Sequence, residues 1–253
     1  MSDQSASDRQ AGDEPASEAP PAKPASYWED FIDIFYAPSD VFRRREESGF
    51  AVPMIVLTLI IGVLTIAMSG AFQPIMDAEF SRNMASAMRK NPNLTPEMAE
   101  KGRAIGEVFA KIGAFIFVPV GMFLVGLFLW LCGKLVDARQ TLAAAIMVAA
   151  YSFTPRVLET LVKAVQALFM DPASLNGQFR ISLSPARFLD PDVASPLLIA
   201  VLGRLDVFTI WVTVLLAIGL SVTGKIPRRR AAIAAGLVWL LGALPGVLTA
   251  ARG

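Results

Sequence analysis

The sequence predicts an all-α membrane protein, a bundle of about five transmembrane helices behind a disordered N-terminal tail. Two observations carry that expectation. Of the 253 residues, 54% are hydrophobic and only 18% are charged, with a mean hydropathy of +0.52, which is far from the balance of a soluble domain. Five uncharged windows also follow one another, at residues 48–76, 112–133, 140–155, 207–224 and 231–251. About 20 apolar residues cross the hydrocarbon layer, so the first, second and fifth windows suffice alone. The fourth suffices if residues 197–205 extend it, and the third if it continues through Arg156, Glu159 and Lys163 to Met170.

Residues 1–26 are rich in Ser, Ala, Pro and acids, with too little apolar surface to offset the entropy of ordering, and are expected to form a disordered cytoplasmic tail. Residues 27–48 read as an amphipathic juxtamembrane segment and residues 49–251 as the membrane domain. In the juxtamembrane segment Trp28, Phe31, Ile32 and Phe35 recur at helical spacing, with Glu29, Asp30 and Asp33 on the other faces. Pro38, Ser39 and Asp40 break that helix and open another, which ends in Arg43, Arg44 and Arg45. Trp28, Phe31, Phe35 and the three arginines form a candidate interfacial anchor. The same pattern also fits a short solvated helix packed on the bundle.

Between the first two spans, residues 77–111 carry six basic and five acidic side chains. Thr95, Pro96 and Glu97 there make a helix start that can run unbroken into the second span. Prolines 119, 155 and 245 are expected to interrupt spans two, three and five, and Gly242 and Gly246 have the spacing of close helix contact.

Basic clusters at 43–45, at Lys134 with Arg139, and at Lys225 with Arg228, Arg229 and Arg230 fall on one side of a five-span count. The positive-inside rule then places the N-terminus in the cytoplasm and the C-terminus outside. The six basic residues of the first external loop oppose that assignment.

Charges within the spans mark a candidate intramembrane polar network of Arg156, Glu159, Arg204 and Asp206. Glu159 lies three and four residues from Arg156 and Lys163, on one helix face. Arg204 and Asp206, two apart, would point opposite ways on a helix, so a pairing of Glu159 with Arg204, or Arg156 with Asp206, is expected. Such a network either holds helices together or lines a path for solute.

Composition excludes several functions. A net charge of +1 gives no basic surplus for nucleic acid. Histidine is absent and the single cysteine, Cys132, sits in an apolar run, which removes the commonest general base, the commonest zinc ligands and any internal disulfide. The nucleophile-elbow, zinc-protease, phosphate-loop and dinucleotide motifs do not occur. No enzyme activity, catalytic residue, metal site or cofactor is expected.

The stretch WEDFIDIFYAPSDVFRRREE at residues 28–47 joins two others: GRLDVFTIW at 203–211, running into LLAIGL at 215–220, and the YSFTP turn at 151–155. Together they resemble the bacterial branch of the Yip domain family, named for membrane proteins that interact with Ypt/Rab GTPases, over residues 28 to about 245. The resemblance implies a five-span bundle with a cytosolic N-terminus, in the cytoplasmic (inner) membrane of a bacterium. Small-GTPase binding belongs to the eukaryotic relatives and reaches this chain only by analogy. The long charged loop at 77–111 departs from the shorter links of those relatives. The expected function is that of a non-enzymatic membrane scaffold whose partners are the bilayer and other membrane proteins or further copies of itself. The alternative is a small-solute transporter or channel using the polar residues of spans three and four.

Overall fold

Residues 26–91 and 93–252 are described by the computed structural model. Apart from Ser26, the expected N-terminal tail lies outside the described residues. Helix α1 (Tyr27–Asp33) opens on a reciprocal cap, in which the Ser26 hydroxyl accepts the Glu29 amide and the Glu29 carboxylate accepts the Ser26 amide. Helix α2 (Pro38–Arg45) begins with proline, whose missing N–H has no helical partner to lose.

Helix α3 (Ala51–Ala67) meets α4 (Ser69–Lys90) at a bend of 74°. The expectation of one straight first span over 48–76 is corrected here: the apolar run turns at Met68, and its last residues belong to α4. Helix α5 (Pro96–Lys134) runs 39 residues, about 58 Å at 1.5 Å per residue, with the Thr95 hydroxyl capping the Met98 amide. Pro119 leaves it continuous.

Helices α6 (Leu142–Ser152) and α7 (Pro155–Phe169) form the third apolar segment, broken by two residues ahead of Pro155. Helices α8 (Pro196–Gly203) and α9 (Val207–Thr223) meet at 48°, because Asp206 caps α9 by accepting the Phe208 amide. Arg204 and Asp206 therefore lie in a joint between helices, where the sequence suggested one continuous span. Helices α10 (Arg228–Leu241) and α11 (Leu244–Arg252) complete the chain, divided at Gly242 and Ala243, just ahead of Pro245.

By length and composition Ile112–Lys134, Leu142–Phe169 and Arg228–Ala251 can each cross a bilayer, and the two bent pairs bring the number to five if each is one span. The middle segment is the centre of the bundle. Of its apolar window 67% is buried, against 22% for Ile112–Lys134 and Arg228–Ala251. Every residue of α6 from Ala144 to Ser152 is buried, and α3, α5 and α9 pack around it. Alanine at 144, 145, 149 and 150 keeps that helix thin enough for three neighbours. The outward faces of α3 and α5 remain apolar, with Ile55, Leu59, Val63, Ile116, Phe117 and Phe123 exposed as lipid contact requires.

Helices α1 and α2 are part of this core. Ile34, Val41 and Phe42 are fully buried and share one cluster with Met147, Tyr151, Leu216 and Ala234.

Two close approaches fix the packing. A Cβ at Gly126 of α5 would come 2.6 Å from the Ile146 Cα of α6, and one at Gly219 of α9 would meet Val148 at 2.3 Å and Phe42 at 3.2 Å. At Gly121, one turn and a half from Gly126, a Cβ would meet nothing within 4 Å. Gly126→Ala should therefore lower the thermal stability of the detergent-solubilised protein, at a cost of about 1–3 kcal/mol, because helix backbone cannot yield as a side chain can. Gly121→Ala should be neutral or slightly stabilising in the same melting experiment.

Candidate functional site

Polar side chains gather in two places, one where the N-terminal helices enter the bundle and one beside the joint of α8 and α9. At the end that carries the N-terminal helices, the Asp30 carboxylate is fully buried. Arg44 reaches one of its oxygens at 2.6 Å and Arg45 the other at 2.6 Å, while the Tyr151 hydroxyl donates to it at 3.0 Å. Arg44 also meets Asp33 at 2.6 Å, and the Arg45 guanidinium lies 4.1 Å above the Tyr27 ring. Two carboxylates thus meet two guanidinium groups, and the cluster is neutral. Burial alone would depress the Arg44 pKa, but hydrogen bonds to Asp33 and Asp30 and their charges outweigh it and raise it above the ordinary value.

This cluster lies inside the bundle. Tyr151 is about 15 Å along the third segment from Thr141, counting 1.5 Å per residue. The aromatic residues flank it, Phe31 against Tyr151 at 5.6 Å and Phe35 edge-on to Trp211 at 5.3 Å. The six residues read as an interfacial anchor thus divide. Phe31, Phe35 and Arg45 turn inward and Arg44 reaches Asp30 from a partly exposed position, whereas Trp28 is exposed and Arg43 pairs with Asp40 at the surface. The helical spacing had put Asp30 on a solvated face. Its partner Tyr151, 121 residues away, reverses that, and no local pattern could have indicated it.

Around the cluster the same end collects basic residues. Lys225 meets Glu46 at 2.7 Å, Arg230 meets Asp137 at 3.3 Å, and the Arg139 amide donates to the Gly224 carbonyl. Asp137 and Lys225 both take left-handed backbone, φ 64° and 54°, at the turns that end α5 and α9.

At the opposite end, Arg156, Glu159, Arg204 and Asp206 line one cavity of about 460 Å³. Their pairing differs from the expected cross-helix bridges, which do not form among the described residues. Glu159 instead binds Arg156 and Lys163 of its own helix, the latter at 2.6 Å. Arg156 reaches across to the Thr209 hydroxyl at 3.2 Å. Asp206 spends its oxygens on the amides of Phe208 and Leu183, each at 2.9 Å, so it is a cap and a loop anchor. Arg204 donates to the Trp239 carbonyl near the end of α10, with its guanidinium over Gly242.

A layer closes this end. Residues 170–195 hold three single-turn 3-10 helices, Pro172–Ser174, Gln178–Ile181 and Pro185–Phe188. Glu79 of α4 accepts the Gln178 amide, Arg82 binds Asp192 and the Asn176 carbonyl, and Gln166 donates to the Ile181 carbonyl. Among the described residues no group of three His, Cys, Asp or Glu side chains has a geometry that could hold a metal ion.

An α-helical bundle with an apolar exterior, three to five helices able to cross a bilayer and its charges paired within, defines an integral membrane protein. The Yip1 domain profile matches residues 32–249, and the chain belongs to that family. It is 26% identical over 225 residues to "Membrane protein YknW" of Bacillus subtilis (strain 168), covering 87% of this chain and 91% of that one. No solved structure gives a significant match.

Removing the Asp30 carboxylate takes its counter-charge from the largely buried Arg45, while the partly exposed Arg44 keeps Asp33. Asp30→Ala should destabilise the protein by about 3–5 kcal/mol. Tyr151→Phe removes only a neutral donor and should cost about 1–2 kcal/mol. Thermal unfolding in detergent measures both, and equal melting temperatures for Asp30→Ala and wild type would contradict the cluster.

Proposed function

We propose that the protein is a non-enzymatic membrane scaffold that offers its outer faces to other membrane proteins or to further copies of itself. One observation carries this reading. The hollow lined by Arg156, Glu159, Arg204 and Asp206 does not include Asp30, Arg44, Arg45 or Tyr151 in its wall, so the two polar clusters do not share one path across the membrane. Asp30 and Glu159 each have two cations as partners, and neither carboxylate is left over for catalysis.

The orientation that fits is a cytoplasmic N-terminus and an external C-terminus in a bacterial inner membrane. Three basic clusters collected at the α1–α2 end support it, as does the bacterial relative. In this arrangement residues 1–26 are a cytoplasmic tail, residues 27–48 a segment locked into the bundle, and residues 49–251 the membrane domain. GTPase recruitment by eukaryotic relatives supplies no residue here.

The outer cavity favours the second reading, a solute transporter, because charged side chains line a hollow at membrane depth. Two experiments separate the readings. Cross-linking in native membranes followed by purification should recover defined protein partners or homo-oligomers for a scaffold. Proteoliposomes of the purified chain should show no ion or solute flux above empty vesicles. Flux abolished by Glu159→Gln or Arg204→Gln would replace the scaffold with a transporter.

A further inference from the structure

Charge pairing in the outer cavity is incomplete at one residue. Glu159 is shared by Arg156 and Lys163, and Asp206 is occupied by two backbone amides, but Arg204 forms no ion pair among the described residues. Its Nε is buried without a hydrogen-bond partner, and its single donated bond goes to a neutral carbonyl. The end of α10 gives that guanidinium a favourable dipole and the Trp239 ring lies 5.7 Å from it, each worth less than a full counter-charge. An ionised group at this depth is costly without a partner of opposite sign.

The surroundings specify the missing partner. Arg156 and Lys163 stand on the same wall and retain N–H donors beyond those given to Glu159 and Thr209. Three cationic side chains and three carboxylates line this hollow. Glu159 is held by Arg156 and Lys163, Asp206 by two backbone amides and Glu79 by the Gln178 amide, whereas Arg204 has no carboxylate partner among the described residues. Phe72, Ile75 and Met76 of the same wall are apolar. A second cavity of about 480 Å³ adjoins it across Glu79, Gln178 and Phe179, with Leu189, Ile199 and Ala200 on an apolar side and Arg82, Asn83 and Arg180 on a polar one. A charged chamber beside one with an apolar wall matches an anionic head joined to a hydrocarbon tail. The fork of a guanidinium suits the paired oxygens of phosphate.

We propose that the outer cavity binds a phosphate-bearing anion through Arg204, with Arg156 and Lys163 as supporting cations and the adjoining cavity receiving an acyl chain where the phosphate belongs to a lipid. The site is independent of whether the protein is a scaffold, since partner capture does not report on it.

Full-length protein in nanodiscs of phosphatidylcholine, with or without phosphatidylglycerol, can be released into native mass spectrometry to count retained lipid. A parallel arm adds inorganic phosphate to protein in uncharged detergent and reads the melting temperature. Wild type should retain phosphatidylglycerol over phosphatidylcholine, and Arg204→Gln should weaken that retention about tenfold or more, as loss of a charge-assisted contact does. Because Arg204 also meets the end of α10, a second variant, Met76→Trp, crowds the cavity and leaves every charge in place; it should weaken retention without lowering the melting temperature. Stabilisation by inorganic phosphate alone, lost in Arg204→Gln, supports the same site with the free ion as its ligand. Equal retention of both lipids together with no response to phosphate, or binding unchanged in both variants, would overturn the proposal.

Discussion

A carboxylate without water organises the N-terminal half of this protein. Asp30 is fully enclosed, and in so poor a dielectric it is tolerable only with its charge matched and its oxygens donated to. Arg44 and Arg45 supply the charge, and Tyr151 supplies a third donor from the central helix. Those three contacts oblige α1 and α2 to fold against each other and against α6. Ile34, Val41 and Phe42 then fill the space between α6 and α9, where Gly219 admits the Phe42 ring. A stretch that could have rested on the membrane surface thereby becomes part of the bundle.

The opposite end obeys the same constraint with different means. Glu159 is neutralised by neighbours one turn away on its own helix, which needs no second element, and Asp206 satisfies backbone amides that the joint between α8 and α9 would leave unmet. The layer of α4 and residues 170–195 then covers the cavity through backbone acceptors and donors such as the Asn176 carbonyl and the Gln178 amide. The alanine-rich α6 lets α3, α5 and α9 close around Tyr151, and the cavity beyond it is walled by Arg156, Glu159, Arg204 and Asp206 without reaching the Asp30 cluster.

Much of the architecture is readable from the residues because lipid imposes a strong and local rule: a long uncharged run must be a helix. The unbroken course of α5 follows from Thr95 and the apolar run after it, and membership of the Yip1 domain family agrees with the resemblance carried by residues 28–47, 151–155 and 203–220. Bends were less legible. The 74° turn at Met68 has neither a proline at the break nor a charge beside it, so hydropathy alone reads straight through it. The 48° joint is marked by Arg204 and Asp206, yet on one continuous helix the two point opposite ways and each calls for a partner on another span, which hides their place as a cap and its neighbour. Asp30 was assigned to water because periodicity reports only which side of a helix a residue occupies. What that side faces depends on residues far along the chain, Tyr151 above all.

Whether the N-terminal helices occupy the bundle core can be measured in native membranes. Cysteines at Phe35 and Trp211, in a chain whose natural Cys132 is replaced by alanine, would sit on side chains whose rings are 5.3 Å apart. A short thiol-reactive cross-linker should join them rapidly, and a cysteine at Phe35 alone should resist water-soluble maleimide. Free labelling at that position with no cross-link to Trp211 would mean that the segment lies outside, and that the buried Asp30 cluster does not hold this fold together.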